Sequence, residues 1–223
     1  MFKSAFAAAL AATLAGAAAV ASAGAAQAQQ AGFQPLAAGT VVVNLRATAV
    51  IPDNSSPILT NAGATTGLDA HVGRDYMPTL GLEYFLTDGI SVELIAGATR
   101  HDIRAVGPGS DTLVSRQWVI PPTLTAKYHP WPAARISPYL GAGLNYMLFV
   151  SRQKANGYTV DLENGFGWAL QAGADLATVG PWQVNLDAKK IFLHTDATIN
   201  GGALKSRVKL DPWVLSIGVG RRF

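Results

Sequence analysis

Cysteine is absent from the 223-residue chain. That excludes a disulfide scaffold, a thiolate metal site and a cysteine nucleophile. Charge is scarce as well: 14% of residues are Asp, Glu, Lys or Arg, against about 25% in an ordinary soluble domain. The net charge of +3 comes with no basic run longer than Arg221-Arg222, so nothing here forms the electrostatic footprint of a nucleic-acid binder. The four histidines, His71, His101, His129 and His194, are too scattered for zinc-type spacing. There is no G-x-S-x-G, no H-E-x-x-H and no P-loop. The sequence therefore predicts no enzyme and no cofactor. Beyond the N-terminal stretch there is no apolar run of 18 residues, which removes a membrane-spanning helix.

Residues 1–28 read as a secretory signal. Lys3 supplies the positive start, Ala5 to Val20 form the apolar run, and Ala26-Gln27-Ala28 is an A-x-A cleavage site. Residues 29–223 are expected to form the mature chain.

Those residues carry a period-2 pattern in eight stretches, at about 40–51, 77–86, 90–103, 115–129, 137–150, 166–178, 182–199 and 206–223. Large apolar side chains take one face, as in Trp213, Leu215, Ile217 and Val219. Small or polar ones take the other, with Phe85 an exception on that side and Lys190 an exception on the apolar side. A bulge is one remedy for Lys190; a stem reaching the membrane interface is another. The connections 87–89, 130–136 and 179–181 are short, whereas 52–76, 104–114 and 151–165 are long. Ten-residue strands joined by short turns at one end and long loops at the other predict an all-β fold, an eight-stranded antiparallel transmembrane β-barrel. A soluble sandwich would expose more lysine and glutamate on its polar face. Tyr84, Tyr128, Trp131, Tyr139, Tyr146, Trp182 and Trp213 lie near strand ends or outward, where the membrane interface favours them.

An eight-stranded barrel is only wide enough inside for side chains. Asn44, Arg46, Glu83, Glu93, Lys127, Asn145, Gln171, Asp175, Asn185, Asp187 and Lys189 are thus expected to pair within the lumen. Pro121-Pro122 falls inside the fourth strand, where two missing N–H donors disrupt the ladder.

Four blocks carry a further signal: PPTLTAKYH from Pro121 to His129, PYLGAGLNY from Pro138 to Tyr146, VNLDAKKI from Val184 to Ile191, and DPWVLSIGVGRRF from Asp211 to Phe223. With these blocks in this order, the chain resembles the OmpW family of small outer-membrane barrels, which includes an alkane-import relative. Phe223 is similar to the family's terminal assembly signal; Arg221 stands where the family usually has tyrosine. The resemblance implies a bacterial outer membrane, with its lipids and assembly machinery as partners and small hydrophobic solutes as cargo. It also implies an apolar passage that opens outside and exits laterally through the wall. Ile58, Leu59, Ile120, Pro121, Pro122, Leu148, Phe149, Phe192 and Leu193, with the adjacent Val150, are the candidates to line that passage. Two other readings stay open: a structural or surface-interaction barrel serving stress tolerance, adhesion or phage attachment, and a narrow ion-conducting pore.

Overall fold

A computed structural model describes residues 32–53, 56–154, 156–157 and 159–223; the signal segment expected at 1–28 lies outside the described residues. Fifteen strands follow one another along the described chain. They are β1 (Val41–Ile51), β2 (Ser56–Thr60), β3 (Thr65–Val72), β4 (Asp75–Phe85), β5 (Ile90–Gly97), β6 (Thr99–Gly107), β7 (Ser110–Ile120) and β8 (Thr123–Tyr128). Then come β9 (Ile136–Lys154), β10 (Val160–Leu162), β11 (Gly165–Ala177), β12 (Trp182–Phe192), β13 (His194–Ile199), β14 (Leu204–Lys209) and β15 (Trp213–Arg222).

Eight of them close a ring. β1 pairs with β4, β4 with β5, β5 with β8, β8 with β9, β9 with β11, β11 with β12, β12 with β15 and β15 with β1, all antiparallel. No edge is left in this ring, which is what hydrocarbon demands of a sheet. The eight stretches read from the sequence supply these eight strands, but those at 90–103, 115–129, 182–199 and 206–223 are each broken, and their outer parts belong to a second sheet. Side chains alternate as expected: in β4, Tyr76, Pro78, Leu80, Leu82 and Tyr84 point out while Thr79, Glu83 and Phe85 are buried. Leu140 and Trp168 are 66% and 71% exposed on the outer wall, a belt too large and apolar for a water-facing surface.

The segments read as long loops are not loops. They continue as a second sheet beyond the membrane-spanning ring, in the order β10-β13-β14-β2-β3-β6-β7-β9. β9 alone runs unbroken through both tiers. The other strands bend where they leave the ring: at Gly73-Arg74, Ala98, Pro121-Pro122, Leu193 and the Leu210-Asp211-Pro212 step. The upper sheet is open, since no ladder joins β9 to β10 among the described residues.

Two expectations need correction in detail. Tyr139 is not an interface aromatic; it is 2% exposed inside the lumen. Lys190 is not rescued by a bulge: its register against Leu170 and Trp213 runs without a shift, so it faces outward.

At the periplasmic end the segment before β1 straps across the mouth. Gln34 N–H donates to Gly180 O (3.4 Å), Leu36 N–H to Pro132 O (3.1 Å) and Ala38 N–H to Asp88 Oδ1 (2.9 Å). These contacts tie the strap to all three short turns, and Leu36 packs with Val42 and Phe85 beneath it. Arg221, two positions before Phe223, lays its guanidinium 4.8 Å from the Phe223 ring and 5.7 Å from Trp182, the posture of a cation at an aromatic membrane boundary.

Candidate functional site

The interior has two storeys of opposite chemistry. The lower one, inside the ring, is filled by a charged network. Arg46 comes from β1, Glu83 from β4, Glu93 from β5, Lys127 from β8, Asp175 from β11, and Asp187 and Lys189 from β12. Each sits at an inward position of its strand, because side chains two apart share a face. Arg46 Nη2 pairs with Glu93 Oε1, and Arg46 Nε donates to Asn185 Oδ1 at 2.6 Å. Lys127 Nζ lies 2.8 Å from Glu83 Oε2, 3.7 Å from Glu93 Oε2 and 3.8 Å from the centre of the Tyr139 ring. Tyr139 Oη donates to Asp187 Oδ2 at 2.8 Å, and Asn185 Nδ2 donates to Tyr139 Oη at 3.0 Å. Gln171 Nε2 reaches Glu93 Oε2 at 3.0 Å, and Lys189 pairs with Asp187. Gln183, on the polar face of its strand but outside the eleven residues expected to pair, links Asp175 Oδ1 (2.8 Å) with Asn44 Oδ1 (3.4 Å) and accepts from Arg222 Nε (2.8 Å).

Of the eleven polar residues expected in the lumen, ten join this network. Asn145 is buried too but does other work. Its Nδ2 donates to the carbonyls of Pro121 (3.2 Å) and Pro122 (3.2 Å) and to Thr123 Oγ1 (2.9 Å). It thus satisfies acceptors at the place where the ladder fails.

Gly173 shows how tightly the lumen is filled. A Cβ there would collide with Leu186 O and Tyr139 Oη. Gly173→Ala is expected to push the Tyr139 ring off Asp187 and Asn185 and to cost about 1–3 kcal/mol. A lowered urea midpoint of the protein in lipid vesicles checks this.

The upper storey is mainly apolar. Val50, Ile58, Val72, Ile103, Val119, Met147, Phe149, Leu162, Ala197 and Ile199 enclose a cavity of about 50 Å³, with His101, Arg104, Gln117 and Ser206 also at its wall. The structure brings Ile58 and Phe149 to this cavity and packs Leu193 into the same cluster. Leu59, Ile120 and Leu148 are half-buried and lie outside it; Phe192 and Val150 face outward. Of the missed lining residues, Val72 and Leu162 lie in segments read as loops, whereas Val50, Ile103, Val119, Met147, Ala197 and Ile199 lie in stretches read as strands, where their alternation was the available signal.

Pro121 and Pro122 sit in the wall between the storeys. The ladder between the third and fourth wall strands reaches Ile95–Thr123 and resumes only at Thr99–Val119. Ala96–Ala98 and Ile120–Pro122 therefore face each other without ladder pairs. Farther out, the β6–β7 hairpin carries exposed ion pairs. Arg104 Nε lies 2.6 Å from Asp111 Oδ1, and this hydrogen bond holds the Asp111 carboxyl below the usual carboxylate range.

A family model described as the OmpW family matches residues 37–223. The outer-membrane protein y4mB of Sinorhizobium fredii is 38% identical over 185 residues, covering 81% of this chain and 79% of that one. The dibenzothiophene metabolism operon protein PahQ of Pseudomonas aeruginosa is 28% identical over 174 residues, covering 77% of this chain and 82% of its own. The crystal structure of the outer-membrane protein OprG from Pseudomonas aeruginosa superposes with a TM-score of 0.80 at 28% identity, covering 86% of this chain and 99% of that chain.

Proposed function

The chain belongs to the OmpW family of bacterial outer-membrane β-barrels, a non-enzymatic family, and from that premise we propose that it conducts small hydrophobic molecules passively across the outer leaflet. The observation that carries this reading is the stacking of an apolar chamber on a lumen closed by paired charges. An apolar solute is stable in the chamber and unstable in the charged plug, so its way on is sideways. The Pro121-Pro122 break lies beside the chamber floor, where two N–H donors are missing and an opening disrupts no ladder bond. The relative whose name ties it to dibenzothiophene metabolism supports an apolar cargo.

At about 50 Å³ the chamber is smaller than pockets that hold small molecules, which run to about 300–1,000 Å³, so passage of a solute requires it to widen. Opening is easiest where the upper sheet has no ladder, between β9 and β10. There a side chain stands in for a strand, with Phe149 N–H donating to Asn164 Oδ1 at 2.9 Å.

Uptake of a panel of apolar and polar solutes into proteoliposomes tests the reading. Apolar solutes are expected to enter faster than in protein-free vesicles, and polar ones are not; equal permeation of both classes overturns it. The double variant P121T/P122T returns two donors to the wall. It is expected to slow apolar entry by about tenfold without lowering the urea midpoint, and unchanged entry would remove the lateral exit. The small volume of the closed chamber favours the second reading, a barrel that acts through its extracellular surface. That reading expects no solute dependence at all.

A further inference from the structure

The outer wall holds a feature that transport does not use. Across β11, β12, β15, β1 and β4 the lipid-facing surface is hollowed into a groove of about 890 Å³. Its floor is made of small side chains, Ala47, Ala49, Ala172 and Ala188, and taller neighbours such as Leu186 and Ile217 rise beside them. Lys190 is one step beyond Ala188 on the same outward row, toward the extracellular end. A lysine facing lipid is costly unless its charge is met. Its ammonium has three donors. One goes to the Asp211 carbonyl, and the nitrogen lies 5.3 Å from the centre of the Trp213 ring.

We propose that this groove binds a phosphorylated glycolipid of the outer leaflet, with an acyl chain along the alanine floor and a head-group phosphate on Lys190. Three observations converge on that occupant. The groove lies on the lipid face of the ring, so what fills it is apolar. Lys190 and Trp213 mark its extracellular end, the depth at which outer-leaflet head groups begin. The charge at that end selects an anion, which a head-group phosphate supplies. The proposal is independent of the transport reading, since no groove residue named here lines the chamber.

Native mass spectrometry of the folded full chain, titrated with diphosphoryl lipid A, tests it. Dephosphorylated lipid A and phosphatidylglycerol form the comparison arms, and heat-modifiable gel mobility verifies folding of each variant. Wild type is expected to retain lipid A in preference to both other lipids. K190Q is expected to weaken lipid A binding by about tenfold, and K190R to restore it. A188W, which fills the floor and keeps the charge, is expected to lose it. A126W, on β8 across the ring from β15, is expected to bind as wild type. The proposal is overturned if K190Q and A188W both bind lipid A like wild type, which would leave Lys190 merely snorkelling. It is also overturned if phosphatidylglycerol is retained as well as lipid A.

Discussion

Glu93→Ala is expected to destabilise the barrel by about 3–5 kcal/mol, the range for removing one partner of a buried ion pair. Glu93 is fully buried and answers two cations, Arg46 directly and Lys127 at 3.7 Å, besides accepting from Gln171. Truncation leaves those donors facing a void with no water-rich exit. The double variant R46M/E93M removes the charges together and is expected to recover most of the loss, because apolar replacements of similar volume spare the desolvation cost. Urea unfolding in lipid vesicles, followed by tryptophan fluorescence, measures both. A loss in E93A below what a surface pair shows would mean the lumen is wet enough to screen its charges. Asp111→Asn on the exposed hairpin is the control, and no measurable change is expected there.

Ala197→Trp is expected to reduce apolar solute entry by at least about tenfold. Ala197 is buried in β13 and lines the chamber. A space of about 50 Å³ cannot accept an indole without forcing its walls apart. Ring residues Val50 and Met147 line the same chamber, so heat-modifiable gel mobility verifies that the variant folds. Leu59→Trp is the matched control: Leu59 neighbours Ile58 in β2 yet lies outside the chamber, and no change in entry is expected. Entry of a fluorescent apolar probe into proteoliposomes reads out both variants. Equal rates for wild type and A197W would favour the surface-acting barrel.

The ring was legible from residues because the membrane imposes one rule on every strand. Outward positions must be apolar, and inward ones must be small or paired, so alternation stays clean over ten residues, as in β1 and β4. The Pro121-Pro122 interruption was equally plain, since proline has no donor to give. The upper sheet was legible only in part: β13 and portions of β6, β7 and β14 fall within stretches read as strands, whereas β2, β3 and β10 fall within segments read as long loops. There β2 and β10 are short, β2 shifts register against β3 between Pro57 and Leu59, and Gly67 in β3 takes a φ of +73°. The candidate passage residues show the cost. Ile58 and Leu59, Leu148 and Phe149, Phe192 and Leu193 are adjacent pairs, and a strand can turn only one of each pair toward the chamber. Asn145 reads as lumenal by parity, yet its partners are the proline carbonyls, a pairing across strands that no one-dimensional pattern contains.

The circle of eight strands closes between the beginning and the end of the chain, with Val42 opposite Arg222 and Ile51 opposite Trp213. Until that last hairpin's worth of sequence exists, β1 and β12 both lack a neighbour, and no shorter portion of the protein forms a smaller finished cylinder. Closure of the cylinder therefore rests on β15, whose ten residues are laddered to β1 on one side and to β12 on the other, strands from opposite ends of the sequence.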